Sequence, residues 1–261
     1  MSSDDNNTAT MKPAEDQAKR PNKPSETLVK LQAASGLVIA VFTAAHLSNH
    51  FVMHFGVDAH RAVFAKLRKV YTAPPVEALL LGSIAVHSGI AVARYEGVAN
   101  NTARLLFQAA GWFLFTVMPI HVIATRYFGP KAGMKEYDIT HAAMAARMVP
   151  VVFIPYYAAL AASGAVHLLG GLSRAGSALG LRSLLAFPSK GSAYLKWSTV
   201  LGALAASSAL AVMGVYFKYP MGDEQALIAS HLKHWPAIVA KFLELPTSEK
   251  WFGSLKWPKS A

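Results

Sequence analysis

The 261-residue chain contains no cysteine. That excludes disulfides, cysteine-ligated iron–sulfur clusters, thiol catalysis and covalent c-type haem attachment. Charge is also scarce: Asp, Glu, Lys and Arg make up 15% of the residues, against roughly 25% in an average soluble domain. A chain this poor in charge and 53% hydrophobic reads neither as a soluble enzyme nor as a disordered protein. Acidic residues are the scarcer sign, 14 against 25 basic ones, for a net charge of +11. The basic residues lie between long apolar runs, which points to lipid headgroups and not to nucleic acid. The sequence has no phosphate-cradling glycine loop, no HExxH and no nucleophile triad. Without thiols, its ten histidines are the strong nitrogen ligands.

Apolar runs long enough to cross a bilayer occupy roughly residues 30–53, 76–95, 104–126, 148–171 and 196–217. Their length and their Ala, Leu and Gly content predict an all-α integral membrane bundle of five transmembrane helices. The expected domain is 28–218. A polar tail, 1–27, is expected to be disordered, and an amphipathic tail, 219–261, carries Trp235, Trp251, Phe252 and Trp257 among lysines, as an interfacial anchor does. Basic residues divide eleven and fourteen between the two faces of such a bundle, so the positive-inside rule assigns no orientation.

Spans 1–2 resemble spans 3–4. Gln32-Ala33-Ala34-Ser35-Gly36 precedes His46-Leu47 as Gln108-Ala109-Ala110-Gly111 precedes His121-Val122. His60, Ala62, Lys66, Pro74 and Ala78 match His141, Ala143, Arg147, Pro155 and Ala159 at one offset. Ser83 through His87, with Arg94 seven residues on, matches Ser163 through His167, with Arg174 seven residues on. This register predicts an internal repeat. The fifth span has neither a copy nor a histidine, which assigns it to enclosure of the bundle.

An imidazole in a membrane span is costly without a partner. One in each of four consecutive spans points to metal ligation, and two axial imidazoles are what haem b needs. His46 and His121 lie late in helices that run the same way, so they share a depth. His87 and His167 lie on helices of the opposite sense. The expectation is two b haems stacked across the membrane, ligated by His46 with His121 and by His87 with His167. Arg94 and Arg174 lie two turns beyond His87 and His167, where propionates want a cation. Arg126, five residues after His121, is the counterpart for the other haem. Gly36, Gly82, Gly89, Gly111, Gly164, Gly170 and Gly171 offer close approach to a flat ring. His50 and His54 continue the face of His46. His50 is a candidate for a propionate or quinone headgroup, and Glu77 for proton exchange beside a quinone. His60, His141, His231 and His234 read as loop or interfacial residues. Nothing in this pattern suggests catalytic residues, a zinc site or a di-iron site.

The segments Ser35-Gly36 through His46-Leu47-Ser48-Asn49-His50, Glu77 through His87, His121-Val122 through Thr125-Arg126 and His167 through Leu172 resemble the single-chain, two-haem cytochrome b subunits of bacterial succinate:quinone and quinol:fumarate reductases. That resemblance covers residues 30–217. It implies haem ligands from the first four of five helices, electron transfer to or from quinone, iron–sulfur and flavoprotein partner subunits, and a bacterial plasma membrane or mitochondrial location. The duplicated unit, the polar start and Pro155-Tyr156-Tyr157 are also similar to the eukaryotic mitochondrial adaptor family, whose duplicated transmembrane domain serves lipid homeostasis. Fungal members recruit a lipid-transfer protein through a Pro-x-Pro motif, and Pro21-Asn22-Lys23-Pro24 departs from it.

Overall fold

A computed structural model describes residues 25–128 and 140–216. The N-terminal tail up to residue 24, with Pro21 and Pro24, lies outside the described residues, as do the amphipathic C-terminal tail, His231 and His234. So does the side chain of His141.

The described chain is helical, without a strand among the described residues. Helix α1, Glu26–Val52, opens with an i,i+4 Glu26–Lys30 pair at 2.7 Å and tightens into a 3₁₀ turn, Met53–Phe55. Gly56 turns the chain at φ 112°, a left-handed value that glycine adopts without steric cost. Helix α2 is Val57–Tyr71 and α3 is Pro74–Ala93, started by prolines in its first turn. Helix α4, Thr102–Ile123, is capped by Asn101, whose Oδ1 accepts from Arg104 N at 2.9 Å. It continues as a π turn, Ala124–Phe128. Helix α5 is Thr140–Met148, α6 is Pro150–Ala178 and α7 is Gly191–Val212.

Five of these helices, α1, α3, α4, α6 and α7, are long and apolar enough to cross a membrane. Large apolar side chains such as Val41, Leu79, Ile120, Ile123 and Val200 cover their outer surfaces, a pattern that suits lipid and not water. The chain is an all-α integral membrane protein. The spans fall within a few residues of those read from hydropathy, except that α6 runs seven residues beyond 171. The helices α2 and α5 emerge from segments read only as loops.

Helix α1 packs against α3 on one side and α6 on the other, and α6 packs against α4. That leaves α1 and α4 on one diagonal and α3 and α6 on the other. The two arms, α3 and α4, do not pack along each other, and a cavity of about 1280 Å³ lies within the arc. Helix α7 lies behind α6 and α1. Its buried Ala205 and Ala209 meet Ala161 and Ala165 of α6 in close small-residue packing, and Gly202 lies against Ala162 and Val166. A Cβ at Gly202 would touch Val166 Cγ2 at 3.5 Å, so the backbones lie near their closest comfortable approach.

The fifth span does more than enclose. Tyr194, fully buried, donates its hydroxyl to Val166 O at 3.1 Å, one residue before His167. His54 Nε2 donates to Ser208 Oγ at 3.3 Å, tying the end of α1 to α7.

His60 differs from the interfacial residue expected from sequence. It is fully buried on α2, and Asn49 Nδ2 donates to its Nε2 at 3.2 Å. The polar outer residues of α2 conceal this: only His60 faces the bundle deeply enough to be buried. The bond pins α2 to α1. Asn49→Ala is expected to lower stability by about 1–3 kcal/mol, the cost of withdrawing one partner from a buried hydrogen bond. Thermal unfolding of detergent-solubilised protein measures it, and an unchanged midpoint contradicts the pin.

Candidate functional site

All four histidines of the expected ligand set line the cavity. They meet in the two expected pairs, one on each diagonal. The His87 and His167 ring centroids are 6.3 Å apart with planes at 88°, and those of His46 and His121 are 6.4 Å apart at 69°. Two metal–imidazole bonds of about 2.0 Å, with about 1.1 Å from each nitrogen to its ring centroid, would place two imidazoles on opposite sides of one metal about 6.2 Å apart. Both pairs have that separation.

The pairs sit at two levels. Gly36 of α1 lies against His87, and Gly111 of α4 against His167, with built Cβ positions 3.1 and 2.9 Å from the imidazole Cε1 atoms. His46 and His121 each follow ten residues later on the same two helices. At 1.5 Å per residue the levels are about 15 Å apart. In the structure the close approach that Gly36 and Gly111 permit is to the imidazoles. Gly164 makes only ordinary contacts, and Gly82, Gly89 and Gly171 have nothing within 4 Å of a built Cβ. Gly170 admits Phe107 and the Arg174 guanidinium, 2.6 and 2.8 Å from its built Cβ.

At the first level each imidazole is oriented by a main-chain carbonyl. His87 Nδ1 donates to Gln32 O at 3.0 Å and His167 Nδ1 to Phe107 O at 3.4 Å. Both Nε2 atoms are left for a ligand, and the outer bond fixes the tautomer as it does for metal-bound histidines generally. The Phe107 ring stacks on His167, centroids 4.4 Å apart, and the Arg174 guanidinium carbon lies over the Phe107 ring, 3.7 Å from its centroid. Arg174 also donates to Gly170 O at 3.1 Å. Arg94 donates Nη1 to the side-chain Oε1 of Gln32, while its Nε is buried without a partner among the described residues. That orphaned donor suits an anionic group entering the cavity.

The second level is built differently. His46 stacks on Phe42 at 5.4 Å, and its Nε2 shares a hydrogen bond with His50 Nε2 at 3.1 Å. His121 lies 6.1 Å from the Tyr157 ring. Arg126 and Glu77 are paired two-fold, at 2.5 and 3.0 Å. Both line the cavity, so the cation expected for a propionate and the carboxylate expected beside a quinone meet in an ion pair there. Arg68 and Tyr71 of α2 join them at this mouth. Burial raises the Tyr71 phenol above its ordinary pKa, against the pull of the Arg68 and Arg126 charges.

Sequence reasoning missed Gln32 as an orienting residue, Phe107, Arg68, Tyr71 and the Asn49–His60 bond. The Gln32 and Gln108 match marked the right segment for the first of these. The α2 residues gave no signal, because their role depends on that helix folding back over the cavity mouth. No protein-family model, no curated protein and no solved structure matches this chain.

Among the described residues no group of three or more His, Asp and Glu is arranged to hold a bare metal ion. The donor set is two pairs of imidazoles with ring centroids 6.3 and 6.4 Å apart. A planar tetrapyrrole with two axial positions fits it: the pair separations, the carbonyl-oriented rings and the unpartnered Arg94 Nε all agree. The cavity exceeds the roughly 300–1,000 Å³ of a site for one small ligand.

Proposed function

We propose that this protein is a membrane di-haem b cytochrome that conducts electrons between the two faces of a bilayer. The observation that carries the reading is the pairing of His87 with His167 and of His46 with His121 at 6.3 and 6.4 Å. Haem b, when bound, supplies a one-electron couple whose potential follows its axial ligands and surroundings.

The chain's own residues do the rest. His87 and His167 present Nε2, held from behind by Gln32 O and Phe107 O. His46 and His121 serve the second level. Arg94 and Arg174 would hold the carboxylates of the first group, and α7, through Tyr194, keeps the His167 segment in place. Glu77, Arg126, Arg68 and Tyr71 form the polar mouth of the second level, where a quinone headgroup has hydrogen-bond partners.

The test is direct. Purified protein should contain close to two b haems per chain by the pyridine haemochrome assay, with a low-spin, dithionite-reducible spectrum. Folded, helical protein that is haem-free as isolated and takes up no haemin would end the reading.

A further inference from the structure

Helix α1 carries an imidazole that the pairing does not use. His50 lies one turn beyond His46, lines the same cavity, and has its Nε2 3.1 Å from His46 Nε2. Its other nitrogen, Nδ1, is buried without a hydrogen-bond partner among the described residues. Its ring runs parallel to that of His60, centroids 6.2 Å apart at 15°, and His60 is fixed by Asn49 and stacked on Phe64. His50 is thus held in place from the α2 side while its Nε2 is directed at the nitrogen expected to bind iron.

We propose that His50 is a second axial imidazole for the His46–His121 level, so that iron bound by His121 can be held from α1 by either His46 or His50. The proposal rests on the two-haem reading. Two nitrogens 3.1 Å apart share positions about 2.0 Å from both, the length of a metal–imidazole bond. Either ring can therefore reach the same metal with small torsional movement. One Nε2 proton is shared between the two rings in their hydrogen bond. The ring that binds offers a bare Nε2 and carries its proton on Nδ1, while the other carries its proton on Nε2; exchange therefore requires both rings to change tautomer, with no net proton uptake and no redox change.

The first level has no such reserve. Four residues beyond His87 and His167 stand Ala91 and Gly171, and beyond His121 stands Thr125. His87 and His167 are also tied by Nδ1 to main-chain carbonyls. Among the described residues His46 makes its hydrogen bond through Nε2, to His50, and no carbonyl holds its ring. The two levels thus differ in kind: one has fixed ligands and the other has a choice on one side.

The test compares His46→Ala, His50→Ala, the double variant, His121→Ala and His87→Ala in full-length protein. The readouts are haem b per chain and the spin state by electron paramagnetic resonance. Both α1 single variants are expected to keep close to wild-type haem content and a low-spin signal. The double variant is expected to lose one haem, as His121→Ala does. His87→Ala, with no reserve, should lose one haem outright. The proposal is overturned if His46→Ala alone matches His121→Ala, or if it keeps its haem high-spin and open to carbon monoxide. It is equally overturned if His50→Ala alone matches His121→Ala. Wild-type protein without haem b and without uptake of added haemin would show instead that the two-haem reading has failed.

Discussion

His167→Ala is expected to remove one of two b haems and leave the other spectrally intact. His167 and His87 meet across the α3–α6 diagonal with ring centroids 6.3 Å apart, and among the described residues no other imidazole stands at their level. Removing one ring would leave a single axial ligand, and Gly171, one turn beyond His167, has no side chain to replace it. Arg94 and Arg174 remain, but carboxylate contacts near a membrane surface are weak substitutes for a metal–nitrogen bond. His87→Ala should produce the same difference spectrum, and His121→Ala the complementary one. Haem content should fall by half in each. The pairing is wrong if the His87→Ala spectrum matches that of His121→Ala rather than that of His167→Ala.

The spans and the proximity of the histidine pairs were legible in the sequence because each rests on a local signal. Span length follows from hydropathy, and a histidine within a span stands out against apolar neighbours. The pairing followed from helix direction alone: alternate helices of a short-looped bundle run parallel, so residues equally deep on spans 1 and 3 must share a level. What was hidden depends on contacts between distant segments. Gln32 and Gln108 look equivalent, yet Gln32 serves His87 and Arg94 while Gln108 accepts from Ala99 N and donates to Gly97 O in the turn before α4. Sequence similarity fixed their position on the helix and not their partners. His60 has the composition of an interfacial residue on a charged helix, and only the fold of α2 onto Asn49 buries it. Glu77 and Arg126, 49 residues apart, were read as serving separate ligands, and nothing local indicates that they meet.

The same distinction separates the effects of substituting glycines in the site. Gly111→Val should halve haem content while lowering thermal stability little. A Cβ at residue 111 would lie 2.9 Å from His167 Cε1 and 3.1 Å from Nδ1, closer than packed carbon atoms approach. The obstructing atoms belong to the end of a side chain, so the fold can yield by turning the imidazole. That movement is cheap in packing but costly to the site. His167 Nδ1 already reaches Phe107 O at 3.4 Å, near the limit of a hydrogen bond, and a turn away from α4 breaks it. The ring then loses both its fixed tautomer and its facing position opposite His87. Phe107, stacked on the ring at 4.4 Å, restricts the other direction of escape. Gly36→Val acts on His87 in the same way, from a contact of 3.1 Å and against the stronger Gln32 bond. Its effect should be smaller if carbonyl anchoring resists displacement. Gly82→Ala and Gly89→Ala, with nothing within 4 Å of a built Cβ, are the controls and should keep both haems. Haem stoichiometry set beside unfolding temperature for these four variants separates a displaced ligand from a disrupted fold. Loss of haem in proportion to lost stability across all four would show that Gly111 serves helix packing and not the placement of His167.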